Sequence, residues 1–420
     1  MSHVLIWKNI APGSEYDIFH AMGCDLQHTQ CTPFNVGNRL WFQGIMSAID
    51  TGENQYAFLS DCMTTEKINA EYDFIILPMA NIFNIKFLGY LESFAQTFSR
   101  IKIPVYVIAC GAQAENYDAL DLLINKIGEL SKQFIGAVYN TGGEFALRGA
   151  FTKEFFDRLG FPSAVVTGCP SMYQLGKDFV AANPLGSKDP ILPVFNGEIP
   201  PLKELMEYYP DSLFIDQGVL WKELYFSQND SPSFRDLIAF YCNCSIFHAE
   251  LLSKDRICLI PDMNNWWNFL KRSGFNYSFG SRIHGNIMAI LSGIPATVAV
   301  IDSRTQEMAD FFNIPYVNHI SGHVYTPEEL TTLYAQADYT KFNRTYQEKY
   351  TVFADFLTEH GIVTHVNQCN PFFSEENAYS MPPNTVNVQY YKDMLRRLEK
   401  DEFLFRCAHT VVNIKNKLAK

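Results

Sequence analysis

The sequence predicts an α/β protein built as two Rossmann-like domains facing a cleft, with a C-terminal helical extension. Three observations carry this. Short β-rich apolar runs alternate with helical patterns along most of the chain, as in parallel α/β architecture. The chain has 420 residues, more than one hydrophobic core usually organises. A polar stretch rich in Pro, Gly and Ser, Ala181-Ala182-Asn183-Pro184-Leu185-Gly186-Ser187-Lys188-Asp189-Pro190, divides it near the middle. The expected division is 1–185 for the first domain, on the acceptor side, and 186–365 for the second, on the donor side. Residues 366–420 form the extension.

The strands are expected, in order, at 4–7, 74–77, 105–109, 146–148 and 164–167 in the first half. In the second half they are expected at 191–195, 212–216, 257–260, 277–279 and 296–301. Leu40, Trp41, Ile45, Ala48 and Ile49 recur at helical spacing after the turn Asn35-Val36-Gly37-Asn38. Gly160 and Gly293 are placed to stop the helices that precede them. The last stretch, 386–420, carries eight Lys and Arg against four Asp and Glu, a net of +4. Tyr391, Met394, Leu395 and Leu398 suit one face of a helix there. Two readings follow: a helix packed on the core with a solvated basic side, or peripheral docking on an anionic membrane surface.

Composition narrows the function. Hydrophobic residues make up 47% and aromatics 15%, enough to fill large cores, and no run is long enough to span a bilayer. The N-terminus reads as a first strand rather than a secretory signal. Ten cysteines lie scattered without paired spacing, which suits reduced thiols in a cytoplasm; the membrane-docking reading of 386–420 would place the protein at the inner face of the membrane. The net charge of -12 argues against nonspecific nucleic-acid binding. A small anionic ligand can still bind in a locally basic cleft.

The most informative stretch is Gly280-Ser281-Arg282-Ile283-His284-Gly285, which opens an apolar helix ending at Gly293. A β-run follows and ends in Asp302. Helix N-termini attract anions because their first N–H groups lack partners and the macrodipole is positive there. An arginine beside them adds a planar fork suited to carboxylate or phosphate.

This segment resembles the C-terminal signature of the polysaccharide pyruvyl transferase family. Ala146-Leu147-Arg148-Gly149-Ala150, running on to Leu159-Gly160, resembles that family's middle motif. Val165-Val166-Thr167-Gly168-Cys169-Pro170 resembles the strand after it, and Asn35-Val36-Gly37-Asn38 its N-terminal turn. The resemblance is good over 145–172 and 276–317 and weak elsewhere. It implies a glycosyltransferase-B-like fold. It also implies transfer of the enolpyruvyl unit of phosphoenolpyruvate onto two hydroxyls of a hexose in a cell-surface glycan or its lipid-linked precursor. The family's donor-binding residues map to Arg148, Arg282 and His284, with Ile283 and Gly285 beside them. His284 is the candidate for proton transfer, since imidazole exchanges protons near neutral pH. The chain departs from the family at three positions that usually carry Asp: Asn38, Gly149 and Cys169.

Acceptor contacts are expected from Asn35, Asn38 and Gln113, whose amides donate and accept at once, with Gly111 in a glycine turn. His20 and His28 fall in a long early loop. Trp266 and Trp267 suit either a core or a sugar face. Cys242 and Cys244 are two apart on a helical pattern that also holds His248, so they would chelate a metal poorly. No metal or cofactor is expected, phosphoenolpyruvate being a co-substrate. Oligomeric state is not readable. Two rivals stay open on sequence: a nucleotide-sugar glycosyltransferase of the same fold, and a noncatalytic relative.

Overall fold

The computed structural model describes residues 2–7, 35–49, 54–59, 63–197, 199, 201–218, 246–260 and 263–362, with isolated positions from 364 to 411. The strands are β1 (His3–Ile6), β2 (Gln55–Phe58), β3 (Phe74–Pro78), β4 (Val105–Cys110), β5 (Glu144–Leu147), β6 (Val165–Val166), β7 (Pro193–Asn196), β8 (Leu213–Asp216), β9 (Ile257–Leu259), β10 (Tyr277–Gly280), β11 (Ala296–Val300) and β12 (Tyr316–Asn318). The helices are α1 (Gly37–Ile49), α2 (Thr65–Glu71), α3 (Leu88–Phe98), α4 (Leu120–Asn140), α5 (Ala150–Arg158), α6 (Leu202–Tyr208), α7 (Ile246–Ser253), α8 (Met263–Arg272), α9 (Ile283–Leu291), α10 (Ser303–Phe312), α11 (Pro327–Gln336) and α12 (Thr340–Glu359).

These strands form two parallel six-stranded sheets, in the orders β2-β1-β3-β4-β5-β6 and β12-β11-β10-β7-β8-β9. The second order is that of a dinucleotide-binding sheet. The strand order reverses between β7 and β10, and the crevice beyond their carboxyl ends is where such sheets place ligands. The ten apolar runs read from the sequence are ten of these strands. β2 and β12 went unread, and both lie at sheet edges.

Alternation along the first sheet splits its side chains between two cores. Leu5, Ile75, Leu77, Val105, Val107 and Phe145 pack under α3 and α4. Val4, Ile6, Ile76, Ile108 and Ala146 face the other way, where one apolar cluster continues through Leu40 and Ile45 of α1 to Phe195, Phe279 and Val298 of the second sheet. The two sheets therefore share a core. Gly160 and Gly293 follow the ends of α5 and α9 with φ of +92° and +84°, the left-handed geometry of a helix stop.

Helix α12 crosses back to the first sheet. Tyr346 donates its hydroxyl to Met172 O at 3.1 Å and to Gly176 O at 3.0 Å, and the ring of His360 lies 4.8 Å from that of Tyr106. The polar stretch 181–190 is pinned to this region. Ala181 N donates to Asn343 Oδ1 at 2.8 Å, and Gly186 N to Ala335 O at 2.8 Å.

Most of 386–420 lies outside the described residues. Lys392 and Arg396, one turn apart, both clasp Asp255, at 2.7 Å and 2.5 Å, and Leu395 is fully buried. Among the described residues of that stretch, Lys392 and Arg396 are thus tied to the protein. Among the described residues no helix is long and apolar enough to cross a membrane.

Candidate functional site

The site is built where the second sheet reverses its order. Gly280 ends β10 so close to β7 that an added methyl carbon would lie 1.6 Å from Asn196 O. Asn196 holds this junction, donating to Ser278 Oγ and to Asn286 Oδ1, each at 3.0 Å, while its own Oδ1 has no partner. Asn286 donates in turn to Gly280 O at 2.9 Å. Arg282 is the N-cap of α9 and bonds no N–H of that helix through its side chain. It is exposed, at the rim.

The first sheet contributes Arg148, just past the end of β5. Its backbone N donates to Cys110 O at 2.9 Å. Its side chain is only 1% exposed, yet Nε and Nη2 have no hydrogen-bond partner. Burial, before any neighbouring charge, holds its pKa below the usual guanidinium range. The Arg148 stem runs past Gly111, where a methyl carbon would sit 3.1 Å from Arg148 Cδ and 2.9 Å from Ala80 O. The β4–β5 register shifts between Val107 and Cys110, and Ala109 takes a φ of +65°, a strained value for a residue with a side chain. This kink delivers Gly111 to the arginine.

His284, the second residue of α9, is 6% exposed. Its Nε2 lies 3.8 Å from Cys169 Sγ, to which Ser171 Oγ donates at 3.1 Å. Burial, then Arg148 and Arg304, hold the imidazole well below its ordinary pKa of 6.5, so it is neutral at pH 7. Arg304 donates from Nη2 to Asp302 Oδ2 at 3.2 Å, while its Nε is buried without a partner.

Gln217, one residue past β8, is 3% exposed, and neither end of its amide has a partner. A methyl carbon on Gly37 would lie 2.4 Å from its Oε1, and one on Gly285 would lie 2.4 Å from its Nε2. The first turns of α1 and α9, one from each sheet's side, therefore meet at a single amide. The Gln217 carbonyl accepts from Val36 N at 2.7 Å, which ties the same point through the backbone. Two positive helix ends, a buried guanidinium with unpaired N–H groups and a nearby second arginine are groups of the kind that attract a small anion.

Glu307 of α10 reaches the same region from the second sheet's side. Burial pushes its carboxyl up to about 7, against the lowering effect of its bonds to Thr152 and of Arg148. It fills the space beside Gly149, a position where the family resemblance expects Asp.

Arg148, Ile283, His284 and Gly285 are all buried, with Arg148 near enough to His284 to disfavour its charged form, while Arg282 is exposed. Asn35 uses its Oδ1 to accept from Gly37 N at 3.0 Å, which shapes the turn into α1, and Asn38 is exposed in the first turn of that helix. Gly111 serves the arginine's passage. Gln113 donates from Nε2 to Asp302 Oδ2 at 2.9 Å, and its Oε1 accepts from Asn81 at 2.5 Å and Asn84 at 2.9 Å. Its amide joins the two sheets' loops. Trp267 is core, donating to Leu291 O at 2.9 Å and stacking on Phe373. Trp266 is buried with it, and His248 packs its ring on Phe214. His20, His28, Cys242 and Cys244 lie outside the described residues. Among the described residues no group of three or more His, Cys, Asp or Glu is placed to hold a metal ion. Gln217, Arg304, Glu307 and Asn196 were not read from the sequence. Asn196 alone had a signal, as the first polar residue after an apolar run.

A search of curated proteins gives no match. Among solved structures the chain is similar to the S. aureus MnaA–UDP co-structure, at 12% identity and a TM-score of 0.41, over 86% of this chain and 98% of that one. It is also similar to the glycosyltransferase SnogD from Streptomyces nogalater, at 9% identity and a TM-score of 0.31, over 86% and 98%. A family model described as polysaccharide pyruvyl transferase matches residues 35–303, a span that holds Arg148, Gln217 and His284. With more than half of its length matched, this chain belongs to the polysaccharide pyruvyl transferase family.

Proposed function

We propose that this pyruvyl transferase takes its pyruvyl unit from phosphoenolpyruvate and sets it as a ketal on two hydroxyls of a hexose, in a cell-surface polysaccharide or its lipid-linked precursor. The observation that carries the reading is the Arg148 guanidinium, buried with Nε and Nη2 unpaired. A buried cation without partners costs stability and persists where a ligand completes it. Phosphoenolpyruvate presents a phosphate and a carboxylate on one short frame, which suits a guanidinium and two helix ends facing one point.

The chemistry is a double addition. A proton adds to the methylene carbon and leaves the central carbon electrophilic. One sugar hydroxyl adds there and phosphate departs with the C–O bond electrons. The second hydroxyl then closes the ketal. Of the two hydroxyl protons released, one balances the new methyl group and the other leaves with phosphate. His284 is the candidate to move the proton. Its imidazole is neutral in the free protein because burial and two arginines disfavour charge. A bound trianion offsets both arginines, so donor binding itself raises the imidazole's basicity.

The test is thermal shift with phosphoenolpyruvate against a panel of nucleotide sugars. A ligand that binds only the folded state raises the melting temperature with concentration. A rise with phosphoenolpyruvate alone is expected. A rise with a nucleotide sugar and none with phosphoenolpyruvate overturns the proposal.

A further inference from the structure

Helix α5 starts at Ala150, two residues past Arg148, without a side-chain cap of its own. Gly149 holds the N-cap position and has no side chain to offer. An uncapped first turn buried in a core leaves N–H groups without acceptors. Here the acceptor comes from the other sheet's helix. Glu307 Oε1 accepts from Thr152 N at 2.6 Å, and Oε2 accepts from Thr152 Oγ1 at 2.9 Å. Thr152 is the third residue of α5, the position whose N–H an N-cap side chain usually bonds.

Glu307 also occupies the room. A methyl carbon on Gly149 would lie 2.3 Å from Glu307 Cγ and 3.1 Å from its Cδ. Gly149 has a φ of 178°, extended backbone open to any residue, so space and not conformation excludes a side chain there. Glu307 is 1% exposed and Thr152 wholly buried. The contact sits within a seam along one face of α10. Ser303 Oγ accepts from Ala114 N at 2.9 Å, and Asp310 Oδ2 accepts from Tyr117 OH at 3.0 Å. Residues 303, 307 and 310 share that face by helical spacing.

We propose that Glu307 supplies the N-capping acceptor of helix α5, in trans from the second sheet's side, and that through this cap it is a positioning residue for the Arg148 guanidinium. The inference deepens the donor-site reading and rests on it for what Arg148 binds. The first sheet's half of the site is then complete only while α10 is docked.

A double-variant cycle tests this, with melting temperature read without ligand and phosphoenolpyruvate affinity read by calorimetry. Glu307→Ala should lower Tm by about 2–4 °C. It should weaken phosphoenolpyruvate binding on the order of 10–100-fold through misplacement of Arg148, raising KM while kcat at saturating donor falls far less. Glu307→Gln keeps an acceptor for Thr152 N and should retain most of the affinity. Gly149→Asp alone should be destabilised, because two carboxyls compete for one space. Gly149→Asp with Glu307→Ala should recover both Tm and affinity, since an aspartate at the N-cap bonds Thr152 N in cis. Additive losses in the double variant overturn the proposal. So does a Glu307→Ala protein that melts lower but binds phosphoenolpyruvate as the wild type does, for then Glu307 is a strut alone. If the wild type binds no phosphoenolpyruvate, the donor reading falls, and the melting cycle still decides the cap.

Discussion

Cys169 Sγ lies 3.8 Å from His284 Nε2, joining the loop after β6 on the first sheet's side to the first turn of α9 on the second's. The thiol stands where the family resemblance expects Asp. A thiol gives the imidazole little charge stabilisation, whereas a carboxylate at that distance favours the protonated ring.

Cys169→Asp should therefore raise the pKa of His284. The limb of the pH–rate profile that follows this imidazole should move to higher pH, and Cys169→Ser should leave it near its wild-type position. A profile unmoved by the aspartate, in a variant shown to be folded, separates Cys169 from the titration of His284.

Stability should carry two opposing pH slopes. Glu307 is held up at about 7 against an ordinary 4.5, with Arg148 and Asp310 as its charged neighbours. The folded state binds its proton more tightly, so its contribution is full below about 4.5 and lost as pH rises towards about 7. His284 lies well below 6.5, so its contribution is present above 6.5 and lost as pH falls. Between these limits the two slopes oppose. Relative to wild type, Glu307→Gln should melt progressively higher as pH rises through this window, and His284→Asn progressively lower. Parallel Tm curves for all three proteins would refute both assignments.

What the sequence discloses here depends on where an element's partners lie. β4, buried throughout, reads as an unbroken apolar run, Val105 to Cys110. β2 and β12 are edge strands with half-exposed patterns: Tyr316-Val317-Asn318 is short and ends polar, and the apolar residues of Gln55-Tyr56-Ala57-Phe58 follow a polar start. Arg148 and His284 are legible because each sits in a strand-to-helix turn with recognisable neighbours. Glu307 is not. Within Gln306-Glu307-Met308 it looks like any glutamate on a surface helix, and only the docking of α10 on α5 buries it. Gln113 is a parallel case: its capacity to donate and accept is plain from its type, but its partner Asp302 lies 189 residues away in the chain.

The two arginines should separate by burial. Arg148→Lys keeps a charge but loses the fork, and a buried ammonium without partners tends to lose its proton. Its loss of phosphoenolpyruvate affinity should be about 10²-fold or more, by the value of charge-assisted bidentate contacts in a dry site. Arg282 is exposed, where water screens charge, so Arg282→Lys should cost about tenfold or less. Calorimetry at one ionic strength compares them. A larger loss at Arg282 than at Arg148 would shift the donor's anionic end to the rim.

The last prediction concerns the proton itself. His284→Asn and His284→Gln keep polar contact but cannot carry a proton at neutral pH. If the imidazole only contacts phosphate, both variants should lose donor affinity and keep their turnover at saturating donor. If it moves the proton, turnover should fall by about 10²–10⁴-fold even at saturation. The second outcome is expected, because the imidazole is neutral when the site is empty and the arriving trianion returns its capacity for charge. The nearby carboxyl of Glu307 accepts from Thr152 through both oxygens. Melting curves that confirm folding must accompany the kinetics. Near-normal turnover at saturating donor would remove His284 from proton transfer and leave it as a contact to the departing phosphate.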